Sequence, residues 1–287
     1  MERPPSLGDA SSRRDVSEAP SAGIAIRELT TNEDCRVAVD LQREIWGFDI
    51  GDIVPASLFH IVSFVGGLGA GAFDANDRML GFVFGVTGIR DGVLSHWSHM
   101  LGVRDEARNS GVGRMLKEFQ RATLGGLGIE RIYWTFDPLQ AKNAYFNLNR
   151  LGAQIDQYVL DMYGNTGSPL HLGLPTDRLI VRTSAAARDD APPRFDSHDA
   201  LPILTSFPQG GDVLLGERIA WPPVVLIEIP ADIMSVAQRS LDDARTWRVS
   251  VRQHFESLRG RGYGVNGVHR DAGSGRAFYV AVPRPAG

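Results

Sequence analysis

The run from Leu101 to Arg114 reads Leu-Gly-Val-Arg-Asp-Glu-Ala-Arg-Asn-Ser-Gly-Val-Gly-Arg, an apolar strand end followed by the pattern Arg108-x-x-Gly111-x-Gly113. A helix that opens at Gly113 after such a turn leaves several backbone N–H groups unpaired and aimed outward at one point. Its aligned peptide dipoles add partial positive charge there, which suits a phosphate or pyrophosphate. Gly111 and Gly113 carry no side chain that would hold an anion away from the backbone. Asn109, Ser110 and Val112 contribute further N–H groups, while Arg108 and Arg114 bring full charges to either end. The plainer reading is a strand–turn–helix joint with glycine at the bend.

A second chemical feature lies just upstream. Val93 to Val103 reads as a strand of unusual polar content, with Ser95, Trp97, His99 and Leu101 on one face and Leu94, His96, Ser98 and Met100 on the other. His99 is a proton acceptor whose ordinary pKa lies near neutral pH, although a strand histidine with its polar needs met would look the same. The third feature is the stretch Thr135 to Asn147. Thr135 and Asp137 fall at the carboxyl end of a short strand, where open α/β sheets place ligands. Asn143 and Asn147, four apart, share one face of the helix that follows. This mix of hydrogen-bonding groups and one carboxylate suits a small polar amine. Asp137, directly before Pro138, is equally placed to cap a helix.

The elements that must hold these groups are readable from periodicity. Ile24 to Leu29 is a strand, followed by Thr30 or Thr31 as a helix cap with Asp34 in the first turn, and by Ala38, Leu41 and Ile45 at helical spacing. Pro55 opens a second helix with Leu58, Ile61 and Val62 on its apolar face. Gly66 to Phe73 and Met79 to Ile89 form a hairpin. The run Gly67-x-Gly69-x-Gly71 leads into a turn and a strand rather than a helix, so it fails as a dinucleotide loop. After the phosphate turn, Val112, Leu116, Phe119 and Thr123 line one side of a helix that ends near Leu127-Gly128. Ile129 to Phe136 is a buried strand, Ala141 to Leu151 a helix, and Ile155 to Tyr163 and Arg178 to Arg182 complete a mixed sheet with helices on both faces. Beyond Ser184 the composition turns to Ala, Asp, Pro and Gly. Val224 to Ile229, a helical stripe of Trp247, Val251, Phe255 and Leu258, and strands at 263–269 and 277–282 follow. This order echoes the helix, strand and strand at 141–182, as a degenerate half of the same fold or as a simple capping subdomain. The expected division is a disordered tail at 1–22, an N-terminal domain at 23–183, a linker at 184–222 and an accessory subdomain at 223–287.

The turn behind Leu101-x-Val103 resembles the acyl-CoA-binding signature of the GNAT superfamily of N-acyltransferases, and the flanking order of elements is similar over residues 24–183. The resemblance implies a mixed α/β GNAT fold that carries the accessory subdomain. It places the CoA pyrophosphate on the turn, with Leu101, Gly102, Val103 and Arg108 through Arg114 around it. The pantetheine arm enters a gap between the strand before the turn and the strand after its helix. Acetyl-CoA or succinyl-CoA is the implied acyl donor, with no metal. His99 takes the position of a base found in some members, and Trp97 stands where others carry a glutamate or a second histidine. Counted back from Leu151-Gly152, the family's asparagine falls on Ala141 and its acid tyrosine on Leu148; Asn143 and Tyr145 are the nearest equivalents. Thr135, Asp137 and Asn147, with Trp97, are left to line the acceptor. The segments 134–140 and 147–152 look like those of a bacterial subgroup suspected of acylating amino acids. The alternative is a non-catalytic CoA-binding or regulatory module that kept the turn and lost the acid.

Composition narrows the classes further. A net charge of −4 over 287 residues gives no reason to expect nucleic acid or an anionic membrane as partner. The single cysteine, Cys35, excludes an internal disulfide, fits a reducing, cytoplasmic setting, and reads as packing. No apolar run has the length of a membrane span. The first 22 residues lack the apolar core of a signal peptide. No Gly-Lys-Ser/Thr follows the glycines, which removes a phosphate-loop nucleotidase. The expected partner is a small-molecule amine, with a homodimer among the assemblies such a chain allows.

Overall fold

The computed structural model describes residues 23–47, 53–164, 173–185, 203–204 and 222–284. The expected tail and nearly all of the expected linker lie outside these residues. The N-terminal part contains β1 (Ala25–Glu28), α1 (Asn32–Trp46), α2 (Ala56–Phe64), β2 (Leu68–Phe73), β3 (Met79–Arg90), β4 (Val93–Val103), α3 (Val112–Gly126), β5 (Arg131–Phe136), α4 (Ala141–Tyr145), β6 (Gln154–Val159) and β7 (Arg178–Ser184). Its seven-stranded sheet has the order β1-β2-β3-β4-β5-β7-β6. β4 and β5 run parallel, and the other neighbours in this sheet are antiparallel. The architecture is mixed α/β.

The two faces of the sheet bury different layers. On one, Leu41 of α1 and Phe59 of α2 pack on Phe82 and Phe84. Thr31 caps α1 by accepting from the Asp34 N–H at 3.0 Å. Buried Gln42 fixes the approach to α2, donating to the Val54 carbonyl and accepting from its N–H. The small residues of β2 let α2 lie close: a Cβ on Gly69 would stand 2.9 Å from a ring carbon of Phe59. Cys35 is fully buried in this layer. On the other face, α3 buries Val112, Leu116, Gln120 and Leu124. That stripe recurs every four residues, so Phe119 and Thr123, expected to face the sheet, stand at its flank and the polar Gln120 goes in. The helix also opens one residue early, at Val112 rather than Gly113.

The helix expected over 141–151 divides. α4 is five residues long and continues as a π-helical segment, Phe146–Arg150. Such wide turns mark places where an inserted residue is tolerated for a local reason; here the segment turns Asn147 and Leu148 inward.

The C-terminal part contains β8 (Ile203–Leu204), β9 (Val225–Ile229), α5 (Ile233–Arg239), α6 (Leu241–Gly260), β10 (Tyr263–Arg270) and β11 (Ala277–Pro283). α5 was not foreseen. The four-stranded sheet has the order β10-β11-β9-β8, with β8 parallel to β9 and the other pairs antiparallel. This is the order and sense of β6-β7-β5-β4 in the first sheet. The echo read in the sequence is a match of topology.

The two parts meet through α6 and β10–β11. Arg248, almost fully buried, makes a two-pronged ion pair with Asp137 at 2.7 and 2.8 Å. Arg252 does the same to buried Asp177 at 3.0 and 2.8 Å. Tyr279 donates its hydroxyl to the Pro138 carbonyl, and Asn149 exchanges hydrogen bonds with the Val268 backbone.

Candidate active site

β4 and β5 are hydrogen-bonded only over Ser95–Trp97 and Arg131–Tyr133. β4 then continues to Val103 and β5 to Phe136 without a ladder between them, so the sheet opens from Ser98 and Trp134 onward. Five steps of strand rise make the open edge of β4 about 16 Å long. At the same level β4 carries a bulge: Met100 pairs with Phe84 and Ser98 with Gly85, leaving His99 as the extra residue. The bulge breaks the strict alternation expected along β4. His96 and Ser98 face α3, where Gln120 and Lys117 reach them. Beyond the bulge, Leu101 and Val103 also face α3, while Met100 packs in the α1–α2 layer. Leu101 therefore does not share a face with His99. The His99 ring is exposed and lies edge-on to Phe84, on the α1–α2 side.

The glycine turn leads into α3 through left-handed backbone. Asn109 and Gly111 both take the left-handed region, at φ 64° and 92°, which turns the chain sharply into α3. Gly111 is the N-cap, with no side-chain cap. The first bond back along the helix is from the Met115 N–H to the Gly111 carbonyl, so the N–H groups of Val112, Gly113 and Arg114 have no helical acceptor. A Cβ on Gly111 would meet nothing within 4 Å, so the mouth of the turn is open. Gly113 rests against Leu101, Val103 and Phe146, each about 3.8–3.9 Å from where its Cβ would be. Arg108 is held by Asp105 and Arg114 by Glu118 in exposed pairs, and Ser110 donates to the Ala107 carbonyl. Gly102 is a glycine for a different reason: its Cβ would lie 2.8 Å from Ile45 and 2.9 Å from Phe82, on the far face.

A polar network runs under the vertex of the gap. Thr87 donates to the Gly66 carbonyl at 2.6 Å, so at 3.0 Å His96 Nδ1–H donates to the Thr87 hydroxyl. Gln120 Nε2 then donates to His96 Nε2 at 3.2 Å, and Lys117 Nζ donates to Gln120 Oε1 at 3.3 Å and to Ser98 Oγ at 2.7 Å. Lys117 Nζ also lies 4.3 Å above the Trp134 ring. Every ring nitrogen of His96 is satisfied in a neutral tautomer, and burial lowers its pKa to about 4. Burial likewise brings the Lys117 ammonium down to about 7. Sequence reasoning did not single out Lys117, Ser98 or Gln120. The available signal was a lysine and a glutamine three apart on a helix that must bury a face.

The third expected cluster is only partly assembled. Asp137 accepts from the Leu139 N–H at 2.8 Å, and both its oxygens are taken by Arg248. It caps a turn and neutralises a buried guanidinium, so both its oxygens are already engaged within the protein. Asn147 is buried, accepts from Trp134 Nε1 at 2.7 Å and donates to the Asn143 carbonyl at 2.8 Å. It holds the indole that closes the vertex and is turned away from any acceptor. Asn143 is exposed at the outer side of α4, Tyr145 is half-buried near Arg150, and Thr135 is within 3.2 Å of the Tyr163 hydroxyl. Trp97 is half-buried, and alternation from His96 sends it to the α1–α2 face.

No family model and no curated protein matches the chain. Among solved structures it is similar to the ribosomal-protein-S18-alanine N-acetyltransferase of Escherichia coli, at 16% identity over 58% of this chain and 97% of that one, with a TM-score of 0.44. An aminoglycoside 6′-N-acetyltransferase complexed with coenzyme A is similar at 17% identity over 58% and 99%, TM-score 0.44. So is a GNAT-family acetyltransferase from Streptococcus pneumoniae, at 15% over 56% and 98%, TM-score 0.43.

Proposed function

We propose that the chain is a GNAT-type, acyl-CoA-dependent N-acyltransferase. The observation that carries this is the meeting of two features on one sheet edge: parallel strands that part beyond Trp97 and Tyr133, and an uncapped, open helix start at Gly111 directly after the first of them. The turn fits a pyrophosphate, since a Cβ on Gly111 would meet nothing within 4 Å and three N–H groups have no helical acceptor. Backbone groups of residues 109–114 hold the phosphates, and the open edges of β4 and β5 receive the pantetheine arm. The donor carries an acetyl or succinyl group. His99, exposed on the α1–α2 side, takes the proton of a small-molecule amine approaching from there, directly or through water. The acceptor reading no longer includes Asp137 or Asn147, and Trp97 and Thr135 remain as its lining. No helix among the described residues is long and apolar enough to cross a membrane.

The test is CoA binding by calorimetry with Gly111→Asp, followed by thiol release from acetyl- and succinyl-CoA across a panel of amines. Asp at 111 sets a carboxylate in the phosphate site and a side chain in left-handed backbone. Its expected effect is a loss of CoA affinity of at least tenfold. Equal affinity in the two proteins removes the site. Binding without thiol release for any amine leaves a CoA-binding module in place of an enzyme.

A further inference from the structure

We propose that Ser98 hands its hydroxyl proton to the departing CoA sulfur and that Lys117 replaces it. The inference rests on the acyltransferase reading and adds the proton donor that Tyr145 was expected to be. Ser98 is the first residue of β4 beyond its pairing with β5, so a pantetheine arm laid along the open edge from the phosphate turn ends beside it. Its Oγ accepts from Lys117, and among the described residues its own O–H has no protein acceptor. That hydrogen is free to point into the gap. Lys117 has no carboxylate partner among the described residues; its contacts are Ser98, Gln120 and the face of Trp134. A half-buried cation whose partners are all neutral gives up a proton more readily than a solvated one, in keeping with its lowered pKa of about 7.

The two faces of the sheet then divide the work. The CoA turn, Ser98 and Lys117 stand on the α3 side, and His99 on the α1–α2 side. As the amine nitrogen bonds to the acyl carbon, the C–S bond breaks and its electron pair goes to sulfur. Sulfur takes the Ser98 proton, Ser98 takes one from the Lys117 ammonium, and the proton lost by the amine goes to His99. Between turnovers Lys117 regains a proton from solvent and His99 gives up the one it took. A donor with a pKa near the working pH is the efficient kind. The other charged or ionisable groups around Lys117 are Glu118, which is paired with Arg114, Arg121 and Arg150, and His96 of β4, which stays neutral down to about pH 4.

The experiment uses the full chain as wild type, Lys117→Met and Ser98→Ala. Calorimetry with CoA itself reports whether the site exists; if wild type binds no CoA, the acyltransferase reading fails and this proposal with it. Given binding, kcat and its pH dependence are read next. The kcat of both variants should fall roughly 10²–10³-fold, and the alkaline fall of the wild-type pH profile, set by Lys117, should vanish in Lys117→Met. A kcat–pH profile that coincides in wild type and Lys117→Met overturns the proposal, as does an undiminished kcat in that variant. Met matches the lysine stem and is apolar, so it suits the burial; should it fail to fold, Ser98→Ala with an undiminished kcat overturns the proposal alone.

Discussion

His96 and His99 sit three residues apart on one strand, and what separates their chemistry is the water each can reach. His96 is sealed between β3 and α3 with both nitrogens hydrogen-bonded, so its charged form is excluded until about pH 4. His99, at the bulge, is exposed to solvent. Replacing His99 with glutamine is expected to lower kcat by roughly 10²–10⁴-fold with CoA affinity unchanged, read by thiol release and calorimetry. His96→Gln is expected to cost stability instead, about 1–3 kcal/mol for buried partners left unpaired, read by denaturant unfolding. The pH dependence has a definite sign. Between about pH 4 and the ordinary value of 6.5 the unfolded chain binds a proton at His96 that the native state refuses, so stability rises with pH across that window. Lys117 continues the rise from about 7 to 10.5. A melting temperature that does not climb between pH 4.5 and 6.5 in wild type relative to His96→Gln contradicts this account. At this scale the sequence spoke through residue type alone. It marked the glycines of the turn, whose function is their missing side chain, and it set His99 apart from His96. Ser98 and Lys117 stayed hidden because a common serine and lysine become chemical only through burial and mutual distance.

Elements were more legible than contacts, and the departures have local causes. β4 matches its expected span from Val93 to Val103 because its ends are fixed by the Asp91-Gly92 turn and by Arg104. Its bulge was not legible, since one extra residue leaves the composition of both faces plausible and shifts only their register. Gly85 shows what the bulge region requires. A Cβ there would fall onto His96 Nε2 and lie 2.5 Å from the Trp97 carbonyl oxygen. Gly85→Ala is therefore expected to overpack the layer beneath the gap, at about 1–3 kcal/mol, and to push His96 out of its neutral pocket. Denaturant unfolding measures the first effect. The second appears as a His96 ring whose NMR titration moves up toward the ordinary range. A fully stable Gly85→Ala protein with an unmoved ring would show that β3 yields more easily than its contacts indicate. The helix over 141–151 illustrates the opposite case: its apolar periodicity was clear, but the π segment that turns Asn147 onto Trp134 depends on a partner in another strand.

At the scale of the whole molecule, the same strand order and sense occur twice, and the second copy is pinned to the first where β5 ends. The order of helix and strands at 141–182 and again at 224–282 made the repeat legible, because topology follows from the sequence of element types. The joint was not legible, since Asp137 and Arg248 lie 111 residues apart and neither announces the other. Asp137 and Asp177 each meet one arginine of α6, and among the described residues the ion pair of buried Arg248 is with Asp137. Breaking such a pair from one side is costly, because the partner is left buried and uncompensated, by about 3–5 kcal/mol. Asp137→Asn is thus expected to destabilise the protein by that order without a selective rise in the acceptor KM. Pairing it with Arg248→Met should recover part of the loss, since an apolar side chain removes the stranded charge. The contrast with a substrate role is direct: a carboxylate that bound an ammonium would raise the acceptor KM when neutralised, and its loss would not be relieved by a change on α6. If Asp137→Asn leaves stability intact and the KM rises, the carboxylate belongs to the acceptor and the joint rests on Asp177. If the double variant is the more stable, the C-terminal sheet holds the β5 end in place through a buried charge pair, and unfolding of the two parts should be one cooperative transition.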